Sequence, residues 1–327
     1  MTHPLDVITY GEAMAMFVAL DTGPLADVAH FTKRAAGAEL NVATGLARLG
    51  FKVGWISRVG ADSFGRFVRG VLAQEGIDAH GVQTDMRYPT GFQLKSKNDD
   101  GRDPTVEYFR RGSAASHLSV DDFNRDYVLG ARHLHLSGVG PAISASSREL
   151  AFMLAREMRE AGRTISFDPN LRPKLWDSEA GMVETLNELA RFADWILPGV
   201  NEGRILTRSD DPATIASFYL GRGARGVIVK LGAEGAYFAT KEGECGHVKA
   251  YPVENVVDTV GAGDGFAVGV VSALLEGRTL RDAVARGNRI GALAVQVIGD
   301  SEGLPTRAQL DALDAFDAHD AASDAAA

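Results

Sequence analysis

Asp258-Thr259-Val260-Gly261-Ala262-Gly263-Asp264-Gly265-Phe266 runs straight into an apolar stretch, Phe266 to Leu275, with the length and character of a buried helix. Glycine has no Cβ, so the backbone N–H groups of such a turn can swing inward together. A helix starting there adds unpaired donors and the positive end of its dipole. The combination is a socket for a phosphate or a developing oxyanion. Asp264 does not belong in a pure anion socket, because it would repel the anion. It makes sense as a group that takes a proton from a hydroxyl attacking the phosphate. A tight turn at the head of a buried helix would use the same residues, so the loop alone leaves both readings open.

The spacing is not Gly-x-x-x-x-Gly-Lys-Ser/Thr, so this is no Walker-type phosphate loop. Nor is it the dinucleotide fingerprint, because Phe266 stands where the third glycine would be. It resembles closely the C-terminal signature of the ribokinase-like (PfkB) carbohydrate kinases, Asp-Thr-x-Gly-Ala-Gly-Asp-x-Phe. The N-terminal half is similar to the family's first signature region in order and spacing. It carries Gly37-Ala38-Glu39-Leu40-Asn41-Val42-Ala43, then Leu46-Ala47-Arg48-Leu49-Gly50, then Val59-Gly60-Ala61-Asp62-Ser63-Phe64-Gly65. The resemblance extends from about residue 5 to about residue 305.

Composition is consistent with it. The chain has 327 residues, 45% hydrophobic and 24% charged, enough for one large domain or a domain plus an appendage. A net charge of −9 argues against nucleic acid as a partner. A single cysteine, Cys245, excludes an internal disulfide framework and suits a reducing compartment. No stretch approaches 18 uninterrupted apolar residues, so no membrane span is expected. The start, Met1-Thr2-His3-Pro4-Leu5-Asp6, lacks the basic and apolar regions of a signal peptide, and a cytoplasmic location is expected.

Short apolar runs alternate with helix-period segments. Val7–Tyr10, Val53–Ile56, His133–Leu136, Thr164–Phe167, Trp195–Leu197 and Val227–Val229 read as strands. Glu39–Leu49, Phe64–Gln74 and Ser146–Glu160 read as helices. That order predicts a parallel sheet covered by helices on both faces, with ligands at the carboxyl ends of the strands. Two segments, 13–35 and 87–113, break the pattern. The second reads as a hairpin: Gly91–Ser96, a polar turn at Asn98-Asp99-Asp100-Gly101, then Thr105–Arg110. The expectation is a three-layer α/β/α sandwich made of 1–12, 36–86 and 114–310. A small β-sheet of 13–35 and 87–113 stands off it, and the resemblance implies that it serves as a lid. The Ala- and Asp-rich tail, 311–327, is expected to be partly disordered.

The resemblance implies a role for each part. Asp264 is the general base, and the N–H groups of Gly261, Ala262, Gly263 and Asp264 hold the charge on the transferred phosphoryl group. Asn170, Arg172, Gly199, Lys230, Gly232, Ala233, Gly235 and Asn288 serve ATP. Gly37, Asn41, Tyr108, Arg110, Arg172 and Asp300 serve the acceptor. Where many members carry Asn-x-x-Glu, this chain reads Gly199-Val200-Asn201-Glu202. Glu202 keeps an indirect link to Mg²⁺, while the asparagine is lost. Mg²⁺ is implied with ATP, and Asp258-Thr259 leaves room for a monovalent cation such as K⁺. The lid implies a homo-oligomer, a dimer or larger.

Tyr108-Phe109-Arg110-Arg111-Gly112-Ser113-Ala114-Ala115-Ser116, Leu134-His135-Leu136-Ser137-Gly138 and Asp168-Pro169-Asn170-Leu171-Arg172 resemble the 2-keto-3-deoxygluconate kinases within the family. An acceptor carboxylate suits an arginine, which meets it with two charge-assisted hydrogen bonds. The expected reaction is ATP-dependent 6-phosphorylation of 2-dehydro-3-deoxy-D-gluconate. The alternatives are a fructokinase- or ribokinase-like enzyme for a neutral sugar, or a sugar- or nucleotide-binding regulator without catalysis. Gluconate and galactonate epimers of the acceptor are not distinguished.

Overall fold

A computed structural model describes residues 4–98 and 104–324, with side chains described up to 315. Strands are β1 Leu5–Tyr10, β2 Met14–Thr22, β3 Phe31–Ala36, β4 Val53–Gly60, β5 Asp78–Asp85, β6 Phe92–Lys97, β7 Val106–Phe109, β8 Ala131–Ser137, β9 Thr164–Asp168, β10 Trp195–Ile196, β11 Gly226–Lys230, β12 Ala236–Thr240 and β13 Cys245–Val248. Helices are α1 Ala38–Arg48, α2 Ser63–Gln74, α3 Arg125–Leu129, α4 Ala145–Glu160, α5 Glu179–Ala190, α6 Val200–Thr207, α7 Pro212–Leu220, α8 Ala262–Leu275, α9 Leu280–Ala294 and α10 Arg307–Asp324.

Nine strands form one sheet in the order β13-β12-β11-β10-β9-β8-β1-β4-β5. Every neighbouring pair from β5 to β11 is parallel, and β12 and β13 close one edge antiparallel. Alternation along β1 sends Val7 to one face and Ile8 and Tyr10 to the other. Val7 packs with Leu40, Trp55, Phe266 and Val270 beneath α1, α2, α8 and α9. Ile8 packs with Leu134, Leu154, Phe167 and Leu189 beneath α4 and α5. These two cores on opposite faces give the three layers expected. β1 lies between β8 and β4, where the strand order reverses, so a crevice opens beyond its carboxyl end.

The two aperiodic segments meet in a second sheet, ordered β3-β2-β6-β7. β2 pairs antiparallel with β3 but parallel with β6, and β6 and β7 form the expected hairpin. Its turn residues Asp99, Asp100 and Gly101 lie outside the described residues. Gly37, at the join of lid and sandwich, has φ 149°, and a Cβ there would stand 2.4 Å from the Glu12 carbonyl oxygen. The tail begins as α10, with Leu310 in the core and Asp314 paired with Arg289; residues 325–327 lie outside the description. No helix among the described residues is long and apolar enough to cross a membrane.

Candidate active site

Helix α8 starts on the glycine-rich turn. Gly261 precedes it with φ 86°, and a Cβ there would meet the Asp300 carbonyl oxygen at 2.3 Å. The first intrahelical bond is Gly265 N–H to Gly261 O at 2.8 Å. Ala262 N–H reaches back to Thr259 O at 3.4 Å, which takes it partly out of the set of donors assigned to the anion. The N–H groups of Gly263 and Asp264 meet no carbonyl among the described residues. They sit at the positive end of a 14-residue helix. The Lys230 ammonium stands over this turn, 3.6 Å from where a Cβ on Gly263 would lie.

Asp264 is buried at 9% exposure. Its Oδ2 accepts from Asn41 Nδ2 at 2.7 Å, and its Oδ1 has a longer contact, 3.4 Å, with Asn170 Nδ2. Asn170 holds φ 39°, a left-handed conformation that asparagine tolerates better than most residues. Burial pushes the Asp264 carboxyl up to about 7; the Asn41 bond and Arg172 oppose this, and Asp168 and Asp300 reinforce it.

Asp168 ends β9 and Lys230 ends β11; their Oδ2 and Nζ meet at 2.7 Å. Burial works against the Lys230 charge, but Asp168 and Glu202 outweigh it and raise its pKa. Glu202 is spent on the backbone: Oε2 accepts from Gly199 N–H at 2.6 Å and Oε1 from Leu171 N–H at 2.8 Å. Among the described residues no cluster of three or more His, Cys, Asp or Glu side chains is arranged to hold a metal ion. With Asp168 and Glu202 already engaged, a Mg²⁺ ion would be held chiefly by phosphate oxygens and water, as its chemistry favours.

These groups line a cavity of about 460 Å³ between sandwich and lid. Of the residues named from the sequence, Gly37, Asn41, Tyr108, Arg110, Asn170, Arg172, Lys230, Gly261, Gly263, Asp264 and Asp300 form its wall. Gly199, Glu202, Gly232, Ala233, Gly235, Ala262 and Asn288 do not. Asn288 Nδ2 donates to the carbonyls of Val248 and Lys249, at 3.1 and 2.9 Å, tying α9 to the end of β13. A larger hollow of about 760 Å³ beside α10 is walled by residues such as Arg48, Leu293, Val297 and Leu313 and receives none of the site residues named from the sequence.

On the lid side Arg110, expected to reach the acceptor, is paired within the protein. Its Nε and Nη2 both lie 2.6 Å from Glu12 Oε2, so that side of the fork is taken. Glu12 Oε1 accepts from Ser113 Oγ at 2.5 Å. Glu12 and Gln93 both reach the cavity wall, and neither was anticipated. The signal for Glu12 was its place just past the carboxyl end of β1. Glu39 was noticed only as part of a motif. It is fully buried, bonded to Gly140 N–H at 2.8 Å, and pushed up to about 8, first by burial.

Comparison with known proteins agrees with this geometry. A family model described as pfkB family carbohydrate kinase matches residues 5–307. The chain is 52% identical to a 2-dehydro-3-deoxygluconokinase of Bacillus subtilis over 94% of both chains. The crystal structure of a PfkB protein from Polaromonas sp. JS666 is 54% identical and superposes with a TM-score of 0.87, covering 94% of this chain and 99% of that one. A putative ribokinase II from E. coli in complex with ATP and Mg²⁺ is 27% identical, with a TM-score of 0.86 over 94% of this chain and 98% of that one. With a sandwich, a lid and a carboxylate set at the glycine-rich start of a helix between them, the chain belongs to the pfkB family of carbohydrate kinases.

Proposed function

We propose that this chain transfers the γ-phosphoryl group of Mg·ATP to the 6-hydroxyl of 2-dehydro-3-deoxy-D-gluconate. The observation that carries this reading is the sharing of one cavity by Asp264 and the lid residues Tyr108 and Arg110. The acceptor hydroxyl lies against Asp264 Oδ1, the less engaged oxygen, and Asp264 takes its proton. The Gly263 and Asp264 N–H groups, with Lys230 and Arg172, stabilise the charge gathering on the phosphoryl oxygens. Mg²⁺ bound with ATP would neutralise phosphate charge. At the far end the acid's carboxylate meets the Nη1 edge of Arg110, and Gln93 and Tyr108 bind its neighbouring oxygens.

In this reading the sandwich is the catalytic domain, and 13–35 with 87–113 is the lid. Gly199, Gly232, Ala233, Gly235 and Asn288 flank ATP rather than the acceptor. The reaction belongs in a compartment that holds ATP and keeps the exposed Cys245 reduced, as the cytoplasm does. A second copy of the chain covers the lid's aromatic outer side. A free K⁺ ion has no assigned role, because Asp258 already faces a lysine.

Following ADP release from Mg·ATP across a panel of acceptors tests the proposal. The expected result is turnover with 2-keto-3-deoxygluconate far above that with fructose or ribose. Equal or faster turnover with a neutral sugar would remove the sugar acid and leave the kinase.

A further inference from the structure

Lys95 lies in β6, two residues beyond Gln93, and its side chain is 1% exposed. Its ammonium stands 2.5 Å from Asp258 Oδ2 and 3.0 Å from Asp300 Oδ1, and both carboxylates are buried. Each of these acids is bound to the anion-binding turn. Asp258 Oδ1 accepts from Val260 N–H at 3.1 Å, and Oδ2 contacts Gly299 N–H at 3.3 Å. Asp300 presses its carbonyl into the space that the missing Cβ of Gly261 leaves open. One lid side chain therefore reaches through two carboxylates to the residues that shape the start of α8.

Burying three charges is a poor way to gain stability, since apolar side chains of similar volume do as well or better. The location supplies another reason. Two carboxylates without a cation would repel each other and the phosphates next to them. Burial works against the Lys95 charge, but Asp300 and Asp258 more than offset it and raise its pKa.

We propose that Lys95 is a positioning residue whose ammonium acts as a built-in monovalent cation: it neutralises Asp258 and Asp300, holds the anion-binding turn in shape, and makes the enzyme independent of free K⁺. The catalytic half of this proposal rests on the kinase reading above.

The test compares wild type, Lys95→Ala and Lys95→Met in KCl, NaCl and tetramethylammonium chloride at equal ionic strength. ADP release with saturating sugar acid and thermal melting without substrates are both measured. Wild type is expected to run at the same rate in all three salts. Lys95→Ala should lose about tenfold or more in kcat in tetramethylammonium, the scale of one charged hydrogen bond, with smaller changes in KM. KCl should restore much of that rate and raise the melting temperature. Lys95→Met fills the space with a neutral chain, so it should stay slow and melt alike in every salt.

Strong K⁺ activation of wild type would overturn the proposal. So would full activity of Lys95→Ala without K⁺, or a Lys95→Ala protein that K⁺ neither reactivates nor stabilises. If wild type releases no ADP with any acceptor, the kinase reading fails and the melting series alone decides on Lys95. A K⁺-specific gain in Lys95→Ala then supports the built-in cation, and its absence overturns it.

Discussion

Asn41 Nδ2 and Asp264 Oδ2 meet at 2.7 Å across 223 residues of sequence, joining the first turn of α1 to the first turn of α8. The bond favours the charged carboxylate, while burial favours the neutral acid, and the balance leaves Asp264 near 7. In the proposed mechanism that leaves the carboxyl about half ionised at pH 7, with an affinity for protons suited to accepting one from a hydroxyl.

Asn41→Leu removes the bond and leaves the burial. A hydrogen bond to a charged group is worth about 1.5–3 kcal/mol, or about one to two pH units. The acid limb of kcat/KM should move up by about that much, with a loss of about tenfold at pH 7. A pH–rate profile decides it; an unmoved limb would mean that Asn41 does not tune Asp264.

In the wild type, kcat/KM should climb with pH and level off above about 7, as Asp264 becomes ionised. Asp264→Asn should cost about 10²–10⁴-fold in kcat with little change in ATP affinity. Stability should move the other way. The folded-state pKa lies above the unfolded value, so the favourable contribution of protonated Asp264 is complete at low pH. It is lost as pH rises through about 7. Asp264→Asn, which has no charge to bury, should melt higher than wild type at pH 8 and approach it near pH 4. Melting curves across that range check the sign.

Arg110→Leu should lose about ten- to a hundredfold in kcat/KM for the sugar acid, the scale of one charged hydrogen bond. ATP hydrolysis without acceptor should be unchanged. Arg110→Lys should recover part of the loss. Because Glu12 Oε2 holds both Nε and Nη2, Glu12→Gln should lower kcat/KM as well, by less, through a less firmly placed guanidinium. Wild-type kcat/KM in the leucine variant would move the carboxylate contact to Arg172 or Arg111.

On the lid face turned away from the cavity Phe92 stacks on Phe109 at 4.6 Å, and Phe17 and Phe92 pack against Phe64 of α2, which leaves Phe109 at the rim. Phe109 is 48% exposed and Leu20 50%. Sedimentation velocity should find a dimer or larger for wild type and a smaller species for Phe109→Asp. A wild-type monomer at micromolar concentration would defeat the lid interface.

Most of the sandwich was legible because its strands and helices carry strong local patterns. β5 and β13 were not named, since Asp78–Asp85 and Cys245–Val248 are largely polar or exposed and lack an apolar run; β12, Ala236–Thr240, is short but apolar and was passed over. The lid was legible as two aperiodic segments. That β2 and β6 pair in parallel is a long-range fact with no local sign. Motif residues marked the cavity wall well on the Asp264 side. The second roles of Glu202 and Asn288, as holders of backbone groups, could not be seen without their partners.

Residue order alone determined where the chain turns, which helix begins on glycine, and that Asp264 stands at that helix's start. Those properties depend on backbone conformation over a few neighbouring residues. Tertiary structure decided that Asp264 titrates near neutrality, that Glu12 engages Arg110, and that Lys95 faces Asp258 and Asp300. The physical reason is that desolvation and charge pairing act through space. Their strength is set by groups far away in sequence, 98 residues for Glu12 and Arg110 and 223 for Asn41 and Asp264, brought within 3 Å only in the folded chain.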